Sequence, residues 1–135
     1  MECSCAVDVD MEMSDAPSFH IATTPIARTS HKCIECGKTI CPGHKYERAS
    51  GVWDSEWKTY KTCEDCLSVR KQFFHCYIYG NVWEDLQYNF DEWDYEVHED
   101  CISCLTPMAR NKVCDIIEDG WERLDEGIEE GENDT

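Results

Sequence analysis

The sequence predicts an α+β fold, a small domain held together by bound metal as much as by apolar packing. Three observations lead there: two Cys-x-x-Cys pairs, Cys33/Cys36 and Cys63/Cys66, a β-prone stretch between them, and helical periodicity from Glu64 onward. Two such pairs supply four soft ligands at a spacing that closes a tetrahedral zinc site. Gly37 follows the first pair directly and frees the backbone to turn over the metal. The stretch 37–62 is long enough for one β-hairpin. Knuckle, hairpin, then a pair on the first turn of a helix is the order of a treble-clef zinc finger. The competing reading makes the pairs redox-active or disulfide-bonded; two matched pairs with a knuckle glycine favour zinc.

The elements follow in chain order. Residues 6–30 read as extended or loop, with Pro17, Pro25 and several Ser and Thr. Residues 45–62 read as the hairpin, with strands Lys45–Ser50 and Glu56–Thr62 and turn signals at Ser50-Gly51 and Asp54-Ser55. From Glu64 to about Phe74 the pattern is helical, with Leu67, Arg70, Lys71 and Phe74 at helical spacing. Glu64 and Asp65 suit the helix N-terminus. Tyr79-Gly80-Asn81 is a break. Val82 to about Trp93 reads as a second helix, with Trp83, Leu86 and Phe90 on one face. Thr106-Pro107 starts a third, a capping hydroxyl followed by proline at the first helical position. Val113, Ile116, Ile117, Trp121 and Leu124 form its apolar stripe. The expected organisation is one zinc-binding domain over 1–125, with a finger core at 31–75 and a helical part at 82–124. An acidic tail over 126–135 is too polar to pack and is expected to be disordered.

Composition narrows the class. Eleven cysteines in 135 residues are an odd number, and Met1-Glu-Cys3-Ser-Cys5 has neither the positive nor the apolar region of a signal peptide. A soluble protein of a reducing cytoplasm is expected rather than a disulfide scaffold. No apolar run approaches the roughly 18 residues a bilayer span needs, so no membrane association is expected. The net charge is −17, and it is unevenly placed. Residues 28–71 hold nine Lys/Arg against six Asp/Glu; residues 72–135 hold three against eighteen. Such a surface repels nucleic acid everywhere except around the finger. Four thiolates outweigh Zn²⁺ by two charges, a deficit that Lys32, Lys38, Lys61, Arg70 and Lys71 are placed to offset.

A second zinc site is expected from Cys3, Cys5, Cys101 and Cys104, with the N-terminus folding back to the segment before the last helix. Cys76 or His98 can substitute for one of these four. The bland alternative makes Cys3 and Cys5 terminal thiols and Cys104 a small buried residue. Cys41 and Cys114 have no partner at ligand spacing; Cys114 reads as a buried inert thiol and Cys41 as a more exposed one.

Catalysis has little support in the sequence. The histidines (His20, His31, His44, His75 and His98) are scattered and form no HExxH-like motif. A four-cysteine site leaves no coordination position for water. The paired histidines and asparagine of the His-Asn-His nucleases, which share a treble-clef-like core, are missing from the hairpin. Two surfaces remain. The hairpin interleaves Lys45, Tyr46, Arg48, Trp53, Trp57, Lys58, Tyr60 and Lys61, a pattern that can track a nucleic-acid backbone and stack bases. The competing reading has its aromatics covering the helix and its charges solvated. The acidic surface from Glu84 to Glu132 is either solubilising or a mimic of DNA charge, with Asp115, Glu118, Asp119, Glu122, Asp125 and Glu126 as the track.

The chain also resembles a family, on Met-Glu-Cys3-Ser-Cys5, His31-Lys-Cys33-Ile-Glu-Cys36-Gly, Gly43-His-Lys-Tyr46-Glu and Gly51-Val-Trp53-Asp. Further matching segments are Tyr60-Lys-Thr-Cys63-Glu-Asp-Cys66-Leu, Tyr79-Gly-Asn-Val-Trp83-Glu-Asp-Leu86 and Leu105-Thr-Pro-Met-Ala-Arg110. It is similar to small zinc-binding proteins of unassigned function encoded by tailed bacteriophages and prophages. The resemblance brings no activity with it. It implies a non-enzymatic zinc-binding protein that binds a host protein in the host cytoplasm, in a takeover or anti-defence role. The alternative is a nucleic-acid-binding finger using the hairpin 45–61. A more distant likeness, through Cys36-Gly-Lys-Thr-Ile40, is to bacterial zinc-finger regulators of RNA polymerase. The wider gap between pairs and the missing coiled-coil arm count against it.

Overall fold

The computed structural model describes residues 6–11 and 15–133, and for 126–133 the backbone alone. It is a mixed α+β structure with a small antiparallel sheet on one side and packed helices on the other. The strands are β1 (Pro17–Thr23), β2 (His31–Lys32), β3 (Thr39–Ile40), β4 (Tyr46–Trp53) and β5 (Glu56–Cys63). The helices are α1 (Glu64–Phe73), α2 (Val82–Glu92), α3 (Glu99–Ser103) and α4 (Pro107–Asn133).

β4 and β5 form the expected hairpin, and the chain reverses at Asp54-Ser55, where φ is 49° and 65°. Two consecutive left-handed residues make the tight turn whose twist suits a hairpin. Ser50-Gly51, the other expected turn, lies instead in mid-strand. Its glycine serves β1, which pairs antiparallel with β4 and sets His20 opposite Gly51. A Cβ at Gly51 would lie 2.2 Å from the Phe19 carbonyl oxygen, so only glycine lets the two backbones meet there. Residues 17–23, read from sequence as extended or loop, are therefore a sheet strand, and the order is β1-β4-β5.

Alternation sorts the sheet into two faces. Glu47, Ala49 and Trp53 are buried on the inner face, toward α1. There Glu47 and Arg70 form a buried ion pair that ties β4 to α1. The Arg70 guanidinium lies 4.1 Å from the Tyr77 ring centre, and Tyr79 stacks on Tyr60 at 4.8 Å.

The apolar core belongs to the helices. Val69 and Phe73 of α1, Val82, Leu86 and Phe90 of α2, Cys101 of α3 and Ala109, Val113 and Ile117 of α4 form one buried cluster with Tyr95 and Leu105. Val7 closes it, donating its N–H to the Phe73 carbonyl at 2.9 Å. Buried Asn89 clamps the same segment, accepting from the Asp8 N–H and donating to its carbonyl, both at 3.0 Å. Tyr95 is buried with φ 60°, and its ring lies against Gly120 of α4. A Cβ on Gly120 would come within 2.4 Å of that ring.

Thr106 caps α4 as expected, accepting from the Ala109 N–H, and its own hydroxyl donates to Asp65 of α1 at 2.7 Å. The helix then runs to Asn133, past the end expected near Leu124. The glutamates there are good helix formers and prolong a helix already nucleated by packing. The core does not follow: Trp121 is 51% and Leu124 38% exposed, so the buried stripe ends at Ile117. α3 is a further short helix that the sequence reading left unassigned. No helix among the described residues is long and apolar enough to cross a membrane.

Candidate metal centre

The first Cys-x-x-Cys pair sits in a tight knuckle between β2 and β3. The Cys33 N–H donates to the Lys38 carbonyl at 2.9 Å, and the Gly37 N–H to the Cys33 carbonyl at 3.0 Å. Gly37 completes the turn at φ 73°, in the left-handed region that favours glycine. The second pair straddles the β5–α1 junction. Cys63 ends the strand and caps the helix, its sulfur accepting from the Cys66 N–H at 3.5 Å. The Ile34 N–H donates to the Lys61 carbonyl at 2.8 Å and docks the knuckle on β5.

Together these contacts bring the four sulfurs within 4.8 Å of one another. A tetrahedron with metal–sulfur bonds of about 2.3 Å has sulfur–sulfur edges of about 3.8 Å. The Cys36 and Cys63 sulfurs are 3.8 Å apart. Cys33 and Cys66 are buried, Cys36 and Cys63 half-buried, and all four are free thiols. Packed this closely, the thiols cannot all ionise unaided. Hydrogen bonds from Cys63 and Cys66 hold Cys33 well below the usual thiol range. Donation to Cys33 pushes Cys63 up to about 12 and raises Cys66 further still. Such a set can hold a metal ion, because a dication replaces the shared protons.

Outer contacts tie the centre to the helices. The Trp83 indole N–H donates to the Cys66 sulfur at 3.2 Å, and the Lys112 ammonium lies 4.2 Å from the centre of the same ring. Glu35, inside the knuckle, accepts from the Gly80 N–H at 2.9 Å and the Val82 N–H at 3.0 Å. It thereby satisfies the open N-terminus of α2. Burial raises the Glu35 pKa against the opposing pull of these two donors. Sequence reading gave Trp83 only a packing role and gave Glu35 none. Glu35's place between two ligands was the one local signal. Of the five cations expected to offset the thiolate charge, Arg70 is committed to Glu47 instead, while Lys38 lines the grooves flanking Cys36 and Cys63.

The second four-sulfur set is not assembled among the described residues. Cys3 and Cys5 lie outside them. Cys101 is fully buried and disulfide-bonded rather than free, and Cys104 is an exposed thiol. Of the substitutes, Cys76 is exposed, and His98 is exposed and caps α3 through the Asp100 N–H. Cys114 is half-buried and Cys41 exposed.

Comparison of the chain with family models, curated proteins and solved structures gave no match.

Proposed function

We propose that the chain is a zinc-stabilised interaction module of the treble-clef kind, without catalytic activity, that binds a host protein of basic surface. The observation that carries this reading is the closed centre. Four sulfurs within 4.8 Å of one another are enough to complete a tetrahedral zinc shell, which would leave the metal no position for water or substrate. Soft thiolates in tetrahedral array favour zinc over harder cations. The order of elements supports the treble clef: knuckle β2–β3, hairpin β4–β5, then α1 carrying Cys66 on its first turn.

With the metal structural, function falls to the surface, where a net charge of −17 favours a basic partner. Asp115, Glu118, Asp119, Glu122 and Asp125 are all exposed along α4. The resemblance to phage and prophage proteins makes a host protein the natural candidate. Capture with tagged, zinc-loaded protein from nuclease-treated bacterial lysate tests this, repeated with Asp115→Lys, Glu118→Lys and Glu122→Lys combined. A stoichiometric partner lost on charge reversal supports the reading. A partner retained at unchanged affinity excludes α4 as the contact. The second set of Cys3, Cys5, Cys101 and Cys104 enters as a measured number: two zinc ions per chain under reducing conditions assign it, and one excludes it.

A further inference from the structure

Among the described residues the outer face of the three-stranded sheet is uncovered from Trp57 to Arg48; beyond that, His31 lies against Tyr46 and leaves Lys61 half-buried. Cross-strand register sets Phe19, Val52 and Trp57 in one row, Ile21, Ser50 and Thr59 in the next, and Thr23, Arg48 and Lys61 in the third. Phe19 is 51%, Ile21 57% and Trp57 63% exposed. α1 lies against the opposite face, so these side chains contribute little to the fold. Three large apolar groups held in water on adjacent strands call for an occupant.

The third row says what kind. Arg48 and Lys61 stand directly opposite each other, a like-charge pairing that destabilises a sheet. The Lys61 ammonium also lies 3.2 Å from His31 Nδ1. Among the described residues neither Arg48 nor Lys61 has a carboxylate within ion-pair distance, although acids outnumber Lys and Arg 29 to 12 along the chain. Lys45, exposed, sits at the same end, bridged to Ile26. At the aromatic end, Asp54 stands in the turn and Glu56 pairs with Lys58 at 3.9 Å. The face therefore runs from exposed rings to unneutralised cations over about 14 Å, four residues of strand.

We infer that this face binds single-stranded nucleic acid without base preference. Bases stack on Trp57 and Phe19, and the phosphates that follow are neutralised by Arg48 and Lys61. Stacking platforms beside a cationic track are how single strands are held; a duplex keeps its bases stacked on one another and cannot use the rings. The strong negative charge of residues 72–135 limits the affinity, and two phosphate contacts give a shallow salt dependence, a log–log slope of about −1.4. The site is separate from the acidic helix face proposed to meet a protein, so either can fail alone.

Fluorescence anisotropy of labelled oligodeoxythymidine and oligouridine with the zinc-loaded full chain tests the inference, beside a duplex of equal length. Binding of either single strand at low salt is expected, weaker for the duplex. Trp57→Ala should weaken it about ten-fold or more. Arg48→Glu with Lys61→Glu should abolish it, while the triple charge reversal on α4 should leave it intact or strengthen it. Zinc content and circular dichroism confirm that each variant is folded. No single-strand binding at low salt, or binding undiminished in Trp57→Ala and in the Arg48/Lys61 variant, overturns the inference. Sedimentation decides the other occupant: a dimer dispersed by Trp57→Ala would assign the face to a second copy of the chain and also overturn it.

Discussion

Around the four cysteines, among the described residues, Ala27, Ile40 and Tyr46 join Cys33 and Cys66 in a small buried cluster with Trp83 packed against it. On the helical side, buried side chains run continuously from Val7 through Phe73, Leu86, Phe90 and Tyr95 to Ile117. The helical half thus has what a folded unit needs without metal. The finger half has less: beyond backbone pairing of β2 with β3 and the Ile34 N–H docked on the Lys61 carbonyl, the four cysteines are what bring the knuckle to the β5–α1 junction. The four-cysteine cluster and the apolar core divide the molecule between them and meet at α1, which offers Cys66 to one and Val69 and Phe73 to the other.

The largest expected effect comes from breaking the metal side. Apparent zinc-binding free energies of roughly 10–16 kcal/mol in finger peptides match or exceed the whole stability of a typical domain. Cys66→Ser should therefore abolish stoichiometric zinc and lower the unfolding midpoint sharply; zinc retained at one equivalent in this variant would place the site elsewhere. Phe90→Ala breaks the other side and should cost about 3–5 kcal/mol in denaturant titration. Its zinc affinity should stay near that of the parent, and a parallel loss of zinc would show that the two halves form one cooperative unit. Gly120→Ala drives a methyl into the Tyr95 ring. The helix-propensity gain of up to about 1 kcal/mol should be outweighed by overpacking of about 1–3 kcal/mol, and a stabilised variant would refute that packing. Trp83→Phe is the mildest, keeping most of the ring but removing the N–H from Cys66. Chelator competition should show zinc affinity reduced about ten-fold, at the low end for an outer-sphere partner, and by linkage the loaded protein should lose about 1.4 kcal/mol in denaturant titration.

Legibility from sequence follows the range of each interaction. The cysteine pairs, the Thr106 cap and the apolar face of α2 are local patterns, found where the sequence puts them; on α1, where the sequence pattern is Leu67, Arg70, Lys71 and Phe74, Val69 and Phe73 also enter the core and Lys71 is exposed. β1 was missed because its worth lies in pairing with β4, and Pro17 and Pro25 hid the alternation of Phe19 and Ile21. Gly51 signals a turn in the sequence because glycine marks turns; the need it meets is the close approach of β1's backbone. Trp121 and Leu124 continue the periodicity of α4 beyond the point where a neighbour is present to cover them. Glu35 reaches from the knuckle to Gly80 and Val82, and Trp83 reaches back to Cys66, pairings across many residues that spacing does not reveal. Both faces of the hairpin reading have a place: Trp53 and Tyr60 are turned inward against Tyr79, while Trp57 and Arg48 remain outside.

Amide hydrogen exchange of the zinc-loaded and chelated protein, resolved along the chain, tests the division most directly. Removing the metal is expected to release protection in β2, β3 and the β5–α1 junction, and at the Glu35-capped start of α2. Slow exchange should persist around Leu86, Phe90 and Val113. Uniform loss of protection across both halves, or none at all, would contradict the account.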